Sequence, residues 1–311
     1  MVANKEKNFV SVVVYVHNNE QTIKYFLKQI SMVFYTHFEK FEIICVNDAS
    51  IDNSVQLIKE IADTLPHSVL SIINMSFFQG QEVAMNAGID LAIGDFVFEF
   101  DTHFIDYNLQ IVIETYFHSL KDFDIVSVSN KNQRFTSNLF YKIYNRNANT
   151  QYKLKTETFR ILSRRAINRI RAMSKIIPYR KALYASCGLK ADTLYYTAQK
   201  QTRKFYSKLH RKHRQETAIN TLILFTDIAY KVSITLTLLL LFGTFAGIVY
   251  TIVTYLTKNP VAGYTATMLL LSSAFFGVFA ILAIIIKYLS ILVDLLFRRQ
   301  KYIVESIEKI S

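Results

Sequence analysis

Two long apolar stretches near the end of the chain place the strongest limit on its fold. Ile228–Tyr255 is interrupted only by Lys231, and Val261–Ile286 contains no charged residue. Each is longer than the ~20 residues that an α-helix needs to cross the hydrocarbon core of a bilayer. Because the connector between them is short and contains Pro260, the two stretches predict an antiparallel transmembrane hairpin. Such hairpins could also pair into a homo-oligomer, since glycines in both stretches allow helices to approach closely.

Basic residues flank the predicted hairpin on its outer sides. Residues 204–214 hold five lysines and arginines and residues 298–301 hold three more, whereas the connector holds only Lys258. Positive charge accumulates on the cytoplasmic side of membrane segments, so both termini are predicted to be cytoplasmic. Met1–Asn8 is polar and charged and does not resemble a signal peptide, which agrees with a first domain in the cytosol.

The net charge of +12 is concentrated in one segment. Residues 158–215 contain sixteen lysines and arginines but only one acidic residue, Asp192. Beside a membrane segment, such charge predicts contact with anionic lipids or a phosphate-bearing substrate, although a solvated face is the plainer interpretation. Nucleic acid is disfavoured as a partner because the basic segment leads directly into the apolar stretches. The predicted organisation is a cytoplasmic domain at 1–215, an amphipathic interfacial helix at 216–230, a hairpin at 231–290 and a cytoplasmic tail at 291–311.

Residues 10–128 alternate between strand patterns and helical patterns. Val10–Val16 is apolar and β-branched, as expected of a buried parallel strand, and Gln21–Phe34 follows with helical periodicity. Such alternation predicts an α/β fold with a mainly parallel sheet and helices on both faces. Ser129–Lys153 is poor in pattern and is predicted to be a mobile loop over the site. Further strands are predicted at Phe41–Val46, Val69–Ile73, Phe96–Phe100 and Asp124–Val128, and further helices at Asp52–Thr64, Gln81–Ile93 and Tyr107–Leu120, the last capped by Asp106.

Ligands of parallel α/β sheets bind beyond the carboxyl ends of the strands. Three polar segments follow predicted strands here: His17–Glu20, Asn47–Ser50 and Asp101–His103. In the second segment, the Asp48 carboxylate can accept hydrogen bonds from a base or a ribose, or it can simply shape a turn. The third segment places a carboxylate and an imidazole two residues apart. This pair can bind Mg²⁺ or Mn²⁺, and the imidazole favours Mn²⁺, whereas a turn with an ordinary histidine is the alternative interpretation.

Three arginines of the basic segment are candidates for phosphate recognition, because a guanidinium donates paired hydrogen bonds. Arg160 lies in an extended pattern and Arg164 opens a helical one, while Arg203 lies closer to the apolar stretches. A solvated or lipid-facing charge is the alternative interpretation of each, and the plainer one for most of them. Gly80 permits a tight backbone turn ahead of the helix at 81–93, but the glycines and lysine of a phosphate-binding P-loop are missing.

Taken in order, these segments resemble the motifs of glycosyltransferase family two, in particular those of the enzymes that load sugars onto dolichol or polyprenyl phosphate. The resemblance covers roughly residues 9 to 300. Asp101–His103 stands where the family has Asp-x-Asp, and Gly80–Asp95 matches the helix and turn before it. The other matching segments are Val12–Glu20, Val46–Asp52 and Phe159–Arg164, the last of which is close to the family's Phe-Arg-Leu-x-Ser-Arg.

The resemblance implies a GT-A-like, Rossmann-type sheet followed by the interfacial helix and the hairpin. It also implies inverting transfer of a sugar from a UDP- or GDP-linked donor to a polyprenyl phosphate, at the cytoplasmic face of a bacterial inner membrane. Asp101 and His103 would hold the Mn²⁺ or Mg²⁺, and Asp101 would act in catalysis with Arg160 and Arg164. The residues implied at the donor site are Asn18, Glu20, Asp48, Ser50, Gly80 and Arg203.

Several residues depart from the family pattern. His103 replaces the second metal-binding aspartate, and Phe77–Phe78 replaces an Arg-Asn pair. Asn47 and Ala49 replace an aspartate and a glycine. These changes leave a second interpretation open, a catalytically degenerate scaffold or binding subunit of a membrane glycan-assembly complex. A processive polysaccharide synthase is disfavoured because the chain has no Trp and only two long apolar stretches, and a transporter because the second stretch carries no charge.

Overall fold

The computed structural model describes residues 5–65, 69–132, 135–147, 152–173, 179–198 and 302–310, together with scattered positions between 231 and 292. The chain divides into two compact units, one formed by Met1–Ala218 with Arg299–Ser311 and the other by Ile219–Arg298. All strands and helices named below belong to the first unit.

An eight-stranded sheet with flanking helices makes up the first unit. The strands are β1 (Val10–Val16), β2 (Phe41–Asn47), β3 (Val69–Met75), β4 (Phe96–Phe100), β5 (Ile125–Asn130), β6 (Phe159–Ser163), β7 (Ala191–Tyr196) and β8 (Val304–Lys309). The helices are α1 (Ile23–His37), α2 (Ser54–Ala62), α3 (Gln81–Leu91), α4 (Gln110–Ser119), α5 (Phe135–Asn147), α6 (Arg164–Met173) and α7 (Arg180–Ser186).

The strand order is β7-β5-β6-β4-β1-β2-β3-β8. The four central strands β4, β1, β2 and β3 are parallel to one another, and β5 is parallel to β7. Only β6 and β8 run against the strands beside them. The predicted α/β fold with a mainly parallel sheet is therefore confirmed.

Helices cover both faces of the central strands, so β1 and β2 are buried along their whole length. Successive side chains of a strand point to opposite faces. On one face, Val12 belongs to a core cluster with Phe34 of α1. On the other, Gly88 of α3 lies so close to the sheet that a β-carbon there would come within 2.4 Å of Val13 and 2.7 Å of Val46. This close packing holds the strand ends, and the loops that follow them, in fixed positions.

The strands and helices predicted between Val10 and Val128 are all present, with shifts at their ends. Two local predictions are wrong. The predicted loop Ser129–Lys153 contains α5, whose Asn145 side chain exchanges two hydrogen bonds with the backbone of Leu154, at 2.9 and 2.8 Å. Asp106 does not cap α4, because it accepts a hydrogen bond from the Tyr196 hydroxyl at 2.7 Å instead.

In the part of the chain that the structure describes, no helix combines the length and the apolar character needed to cross a bilayer. The predicted transmembrane hairpin is therefore unsupported by the structure. Most residues of Ile228–Tyr255 and Val261–Ile286 lie outside the described residues, as does the predicted interfacial helix at 216–230. Pairing of the hairpin into an oligomer would involve the same residues.

Candidate active site

The loops that follow β1 and β2 are hydrogen-bonded to each other at the carboxyl edge of the sheet. The backbone N–H of Asn18 donates to Ser50 Oγ at 3.1 Å, and Asn18 Oδ1 accepts from the N–H of Ile51 at 2.9 Å. Asn18 has a φ of 54°, a left-handed conformation that asparagine adopts more readily than most residues. The structure therefore brings Asn18 and Ser50, two predicted donor-site residues, to one place.

Glu20 extends the contact between these two loops. Its carboxylate accepts hydrogen bonds from the backbone N–H and the side-chain amide of Asn53, at 3.1 and 3.2 Å. Its own N–H donates to Asp52 Oδ2 at 3.0 Å. These bonds fix the approach to α2, so Glu20 lies at the predicted edge and acts there as a link between loops.

Asp48 is completely buried directly after β2. Its Oδ1 accepts from the N–H of Gln79 at 2.8 Å, and its Oδ2 accepts from the N–H of Gly80 and from the Tyr15 hydroxyl, both at 2.9 Å. Burial raises the pKa of Asp48, while the hydrogen bonds from Gln79, Tyr15 and Gly80 oppose that rise. The carboxylate thus ties together β1, β2 and the segment before α3, and all three bonds lie within the protein.

Gly80 makes the turn into α3 possible. Its φ of 88° lies in the region that favours glycine, and its N–H points at Asp48 because of that conformation. The prediction of a tight backbone at Gly80 is confirmed. In the site, Gly80 donates one of the three hydrogen bonds that hold the Asp48 carboxylate.

Asp101, directly after β4, is held from two sides by arginines. Its Oδ2 accepts from Arg160 Nη2 at 2.9 Å, and its Oδ1 accepts from Arg180 Nη2 at 2.8 Å. Burial would raise the pKa of Asp101, but the positive charges of Arg180 and Arg160 outweigh it and lower this pKa well below its ordinary value. Asp101 is therefore a fixed, ionised carboxylate, with 11% of its side chain exposed at the edge.

The same two arginines belong to a larger buried ionic network. Both donate to Glu99 of β4, Arg160 from Nη1 at 2.5 Å and Arg180 from Nη1 at 2.8 Å. The Tyr184 hydroxyl donates to the other oxygen of Glu99 at 2.5 Å. Burial raises the pKa of Glu99, against the lowering influence of Arg180 and Arg160. The remaining members are Glu82, which accepts from Arg180, and Glu157, which pairs with Arg160 and with Lys181.

His103 is turned into the protein. Its Nε2 donates to the backbone carbonyl of Tyr15, and its ring packs edge-on against Phe26 at 5.9 Å between centroids. Burial lowers the pKa of His103 to about 4, so the ring is neutral at pH 7. The imidazole therefore serves the packing between β1, α1 and the end of β4.

The hydrogen bonds of Asp101 and His103 test the prediction that these two residues hold Mn²⁺ or Mg²⁺. Each oxygen of Asp101 accepts one charge-assisted hydrogen bond and keeps a further lone pair, but His103 is buried and its Nε2 is bonded to the backbone carbonyl of Tyr15. Across the described residues, no group of three or more His, Cys, Asp and Glu side chains is arranged to hold a metal ion. The two residues do not fit the predicted metal pair in this arrangement.

Arg160 lies near the start of β6, and Arg164 directly follows its end, so the two arginines lie at opposite ends of this strand. In the antiparallel register of β4 and β6, Phe100 pairs with Phe159 but Phe96 pairs with Ser163. Arg164 therefore lies beside the start of β4, where it donates to the carbonyls of Ala92 and Gly94 at the end of α3, each at 3.0 Å. This corrects the expectation that Arg164 shares a catalytic site with Asp101. Arg203, predicted at the donor site, lies outside the described residues.

Arg180 is one residue at this edge that the sequence did not identify. It is fully buried and opens α7, and its N–H and Nε both donate to Glu82, at 2.9 and 3.1 Å. The one available signal was its position in the basic segment 158–215, but that segment holds fifteen other lysines and arginines, and nothing in the sequence distinguishes Arg180 from them. Its acidic partners come about 80 to 100 residues earlier in the chain, so no local pattern points to it.

Comparison with known proteins adds a family and several relatives. The family model described as "Glycosyl transferase family 2" matches residues 11–171, slightly more than half of the chain. An uncharacterized glycosyltransferase of Synechocystis is 29% identical over 217 residues, covering 64% of this chain and 65% of its own. A prophage bactoprenol glucosyl transferase homolog of Escherichia coli is 29% identical over 198 residues, covering 60% and 62%. The matched region thus spans somewhat less than two thirds of these relatives.

Among solved structures, the fold is similar to that of glucosyl-3-phosphoglycerate synthase from Mycobacterium tuberculosis, determined in complex with Mn²⁺, uridine diphosphate and phosphoglyceric acid. The TM-score is 0.50 at 16% sequence identity, and the match covers 70% of this chain and 78% of the other. At this identity the likeness concerns the fold alone.

Proposed function

This chain belongs to glycosyl transferase family 2, and from that premise we propose that it transfers a sugar from a nucleotide-sugar donor to a membrane polyprenyl phosphate, with inversion at the sugar carbon. The observation that carries this function is the gathering of Asn18, Asp48, Gly80 and Asp101 at the carboxyl edge of the sheet. Parallel α/β sheets bind their ligands at that edge.

The donor class is proposed to be a UDP- or GDP-linked sugar. The fold of the chain is similar to that of an enzyme whose structure contains uridine diphosphate. The loops after β1, β2 and β3 would receive the nucleotide part, with Asp48 setting their geometry from within rather than contacting the ligand directly.

The acceptor is proposed to be a polyprenyl phosphate, since a relative that is 29% identical bears the name of a bactoprenol glucosyl transferase homolog. The basic segment 158–215 supplies positive charge for its phosphate and for anionic lipids. Membrane attachment through Ile228–Tyr255 and Val261–Ile286, with both termini cytoplasmic, is part of this proposal and rests on sequence alone.

The main chemical contribution that we assign to the residues at the carboxyl edge is to position the donor sugar for attack by the acceptor. A phosphate oxygen is already anionic, so it attacks the sugar carbon without a general base to remove a proton. The bond from that carbon to the diphosphate oxygen breaks in the same step, and the nucleoside diphosphate leaves as an anion. Each oxygen of Asp101 keeps one lone pair beyond its bond to an arginine, and this carboxylate can therefore accept hydrogen bonds from sugar hydroxyls of the donor. Arg160 and Arg180 keep it ionised and fixed in orientation, which favours one geometry for the displacement.

A second candidate function is a non-catalytic binding or scaffold subunit. The hydrogen bonds of Asp101, His103 and Asp48 inside the protein favour it, because among the described residues the predicted pair Asp101 and His103 is not arranged to hold a metal ion. Such a subunit could still bind a nucleotide-sugar or a lipid phosphate without transferring the sugar.

A transfer assay separates the two. The full-length chain is incubated with polyprenyl phosphate in vesicles, Mn²⁺ and Mg²⁺, and radiolabelled UDP- or GDP-sugars, and label in the organic phase is counted. We expect transfer from at least one donor, reduced at least a hundredfold in Asp101→Asn. Asp122→Asn, at an exposed ion pair with Lys190, is the matched control and should transfer normally. Nucleotide binding without transfer from any donor would favour the binding subunit.

A further inference from the structure

The last strand of the sheet comes from the very end of the chain. β8 lies antiparallel to β3, with Ile73 opposite Ile307 and Asn74 opposite Ser306. The pairing shifts in register between Asn74 and Met75, just before β3 ends. The segment 76–80 that follows β3 therefore leaves the regular ladder at the edge where the donor loops lie.

Gln79 bridges this gap with its side chain. Its Nε2 donates to the carbonyl oxygen of Ile303 at 2.6 Å, and its Oε1 accepts from the N–H of Ile303 at 3.0 Å. The N–H of Ser76 also donates to the Ile303 carbonyl, at 3.3 Å. A primary amide can satisfy both backbone groups of one residue in this way, so the Gln79 side chain takes the place of one more ladder partner for the C-terminal segment.

The backbone of Gln79 faces the donor loops. Its N–H donates to Asp48 Oδ1 at 2.8 Å, next to the bond from Gly80. The carbonyl of Asp48 in turn is bonded to His17 Nδ1 at 2.6 Å. A continuous series of hydrogen bonds therefore runs from Ile303 through Gln79 and Asp48 to the loop after β1.

We propose that Gln79 is a positioning residue of the donor site, which uses the C-terminal segment at Ile303 to hold residues 76–80 and the Asp48 carboxylate in the geometry that receives the nucleotide. This role rests on the proposed function, because it concerns the same site. The segment that supplies the anchor is more than 220 residues away in sequence, so the site is incomplete without the end of the chain.

The test compares Gln79→Ala with the full-length wild type. We measure the dissociation constants of UDP and GDP by calorimetry, the KM and kcat for the sugar donor, and hydrogen exchange of peptides covering 76–81 and 302–310. Loss of two hydrogen bonds should weaken nucleotide binding and raise the donor KM about tenfold, with kcat changed less than about twofold. Exchange should become faster in both peptides.

Two further variants define the cause. Lys59→Ala removes an exposed ion pair that joins α2 to Glu308 of β8 at 2.5 Å, and it should leave nucleotide binding unchanged because it does not touch residues 76–80. Ile303→Pro removes the N–H that Gln79 accepts from. If Gln79 acts through its bonds to Ile303, the effects of the two substitutions should not add. The double variant Gln79→Ala with Ile303→Pro should then have a dissociation constant for nucleotide no higher than the higher of the two single-variant values.

Unchanged nucleotide affinity and unchanged exchange at 76–81 in Gln79→Ala would overturn the positioning role. Equal losses in Lys59→Ala and Gln79→Ala would also overturn it, because general loosening of β8 would then be the cause. If the wild-type chain binds neither UDP nor GDP and transfers no sugar, the proposed function fails and the donor role fails with it. The exchange data need no ligand, so they still report separately whether Gln79 holds the segment.

Discussion

Asp101 follows β4 and Asp48 follows β2, one on each side of β1, yet their surroundings give them different properties. Arginines bond both oxygens of Asp101, and its pKa is lowered. Neutral donors alone bond Asp48, and burial raises its pKa. One carboxylate is therefore held as an anion near the surface of the edge, while the other organises the loops from inside. Both are aspartates that directly follow a parallel strand, so their partners decide what each can do.

The buried network predicts a large cost for removing one of its cations. Arg180→Met retains an unbranched side chain but removes the guanidinium group, which leaves Glu82, Glu99 and Asp101 short of a partner. Breaking a buried ion pair from one side costs about 3–5 kcal/mol, and we expect a loss of this order in the free energy of unfolding. Thermal and urea unfolding followed by circular dichroism measure it.

Lys190→Met is the matched control for that measurement, since Lys190 pairs with Asp122 at the surface. Exposed ion pairs contribute little, and the control should unfold like the wild type. Equal stability of Arg180→Met and the wild type would show that the network is not formed as described.

His103 predicts a pH dependence of stability. Its pKa is about 4 in the folded chain, against an ordinary value of 6.5, so the unfolded state binds more protons between these values. Stability should therefore fall as the pH drops from about 6.5 to about 4, by roughly 3 kcal/mol for this group. Unfolding measured across this range should show a flatter dependence in His103→Gln. Phe26→Leu, which loosens the packing on the same ring, should keep the steep dependence, and a parallel loss of slope in both variants would contradict the assignment.

At the scale of elements, the contact between α3 and the sheet decides where the edge residues lie. α3 begins at the Gly80 turn and carries Glu82 to Arg180, so its position links the Asp48 loops to the ionic network. Gly88 lets the helix approach β1 and β2 closely. A displaced α3 would therefore move both halves of the candidate site together.

Gly88→Ala tests this contact. The added β-carbon would lie 2.4 Å from Val13 Cγ1 and 2.7 Å from Val46 Cγ2, so the helix or the strands must shift. Overpacking of this kind costs about 1–3 kcal/mol, and it outweighs the gain in helix propensity from replacing a glycine. The melting temperature should fall, together with sugar transfer. A neutral or stabilising effect would mean that α3 lies further from the sheet.

Sequence patterns predicted the central elements well because buried parallel strands need continuous apolar runs, as in Val10–Val16. They did not reveal β8, because four of the six residues in Val304–Lys309 are polar and the segment lacks the apolar run of a buried strand. As an edge strand, it pairs mainly through its backbone. α5 was missed because the sequence Phe135–Asn147 shows no clear helical period, and one of its contacts is the hydrogen bond from Asn145 to Leu154, beyond the end of the helix. At the site, motif spacing located Asp48 and Asp101 but could not show which partners their carboxylates would take.

At the scale of the whole molecule, the first unit draws on both ends of the chain. Met1–Ala218 and Arg299–Ser311 belong to it, and Ile219–Arg298 forms the other unit. The chain therefore leaves the sheet after β7 and returns to it as β8, beside the donor loops. Loss of the last residues should consequently affect the candidate site and not only an end of the chain.

The central claim is that a nucleotide-sugar binds at the carboxyl edge of the central strands. Hydrogen exchange of the full-length chain, with and without UDP-glucose, UDP-N-acetylglucosamine and GDP-mannose, tests it most directly. We predict that one donor slows exchange in the segments 17–22, 48–54 and 76–81 and leaves α4 and β7 unchanged. Protection confined to another part of the molecule, or no protection with any of the three donors at saturating concentration, would contradict it.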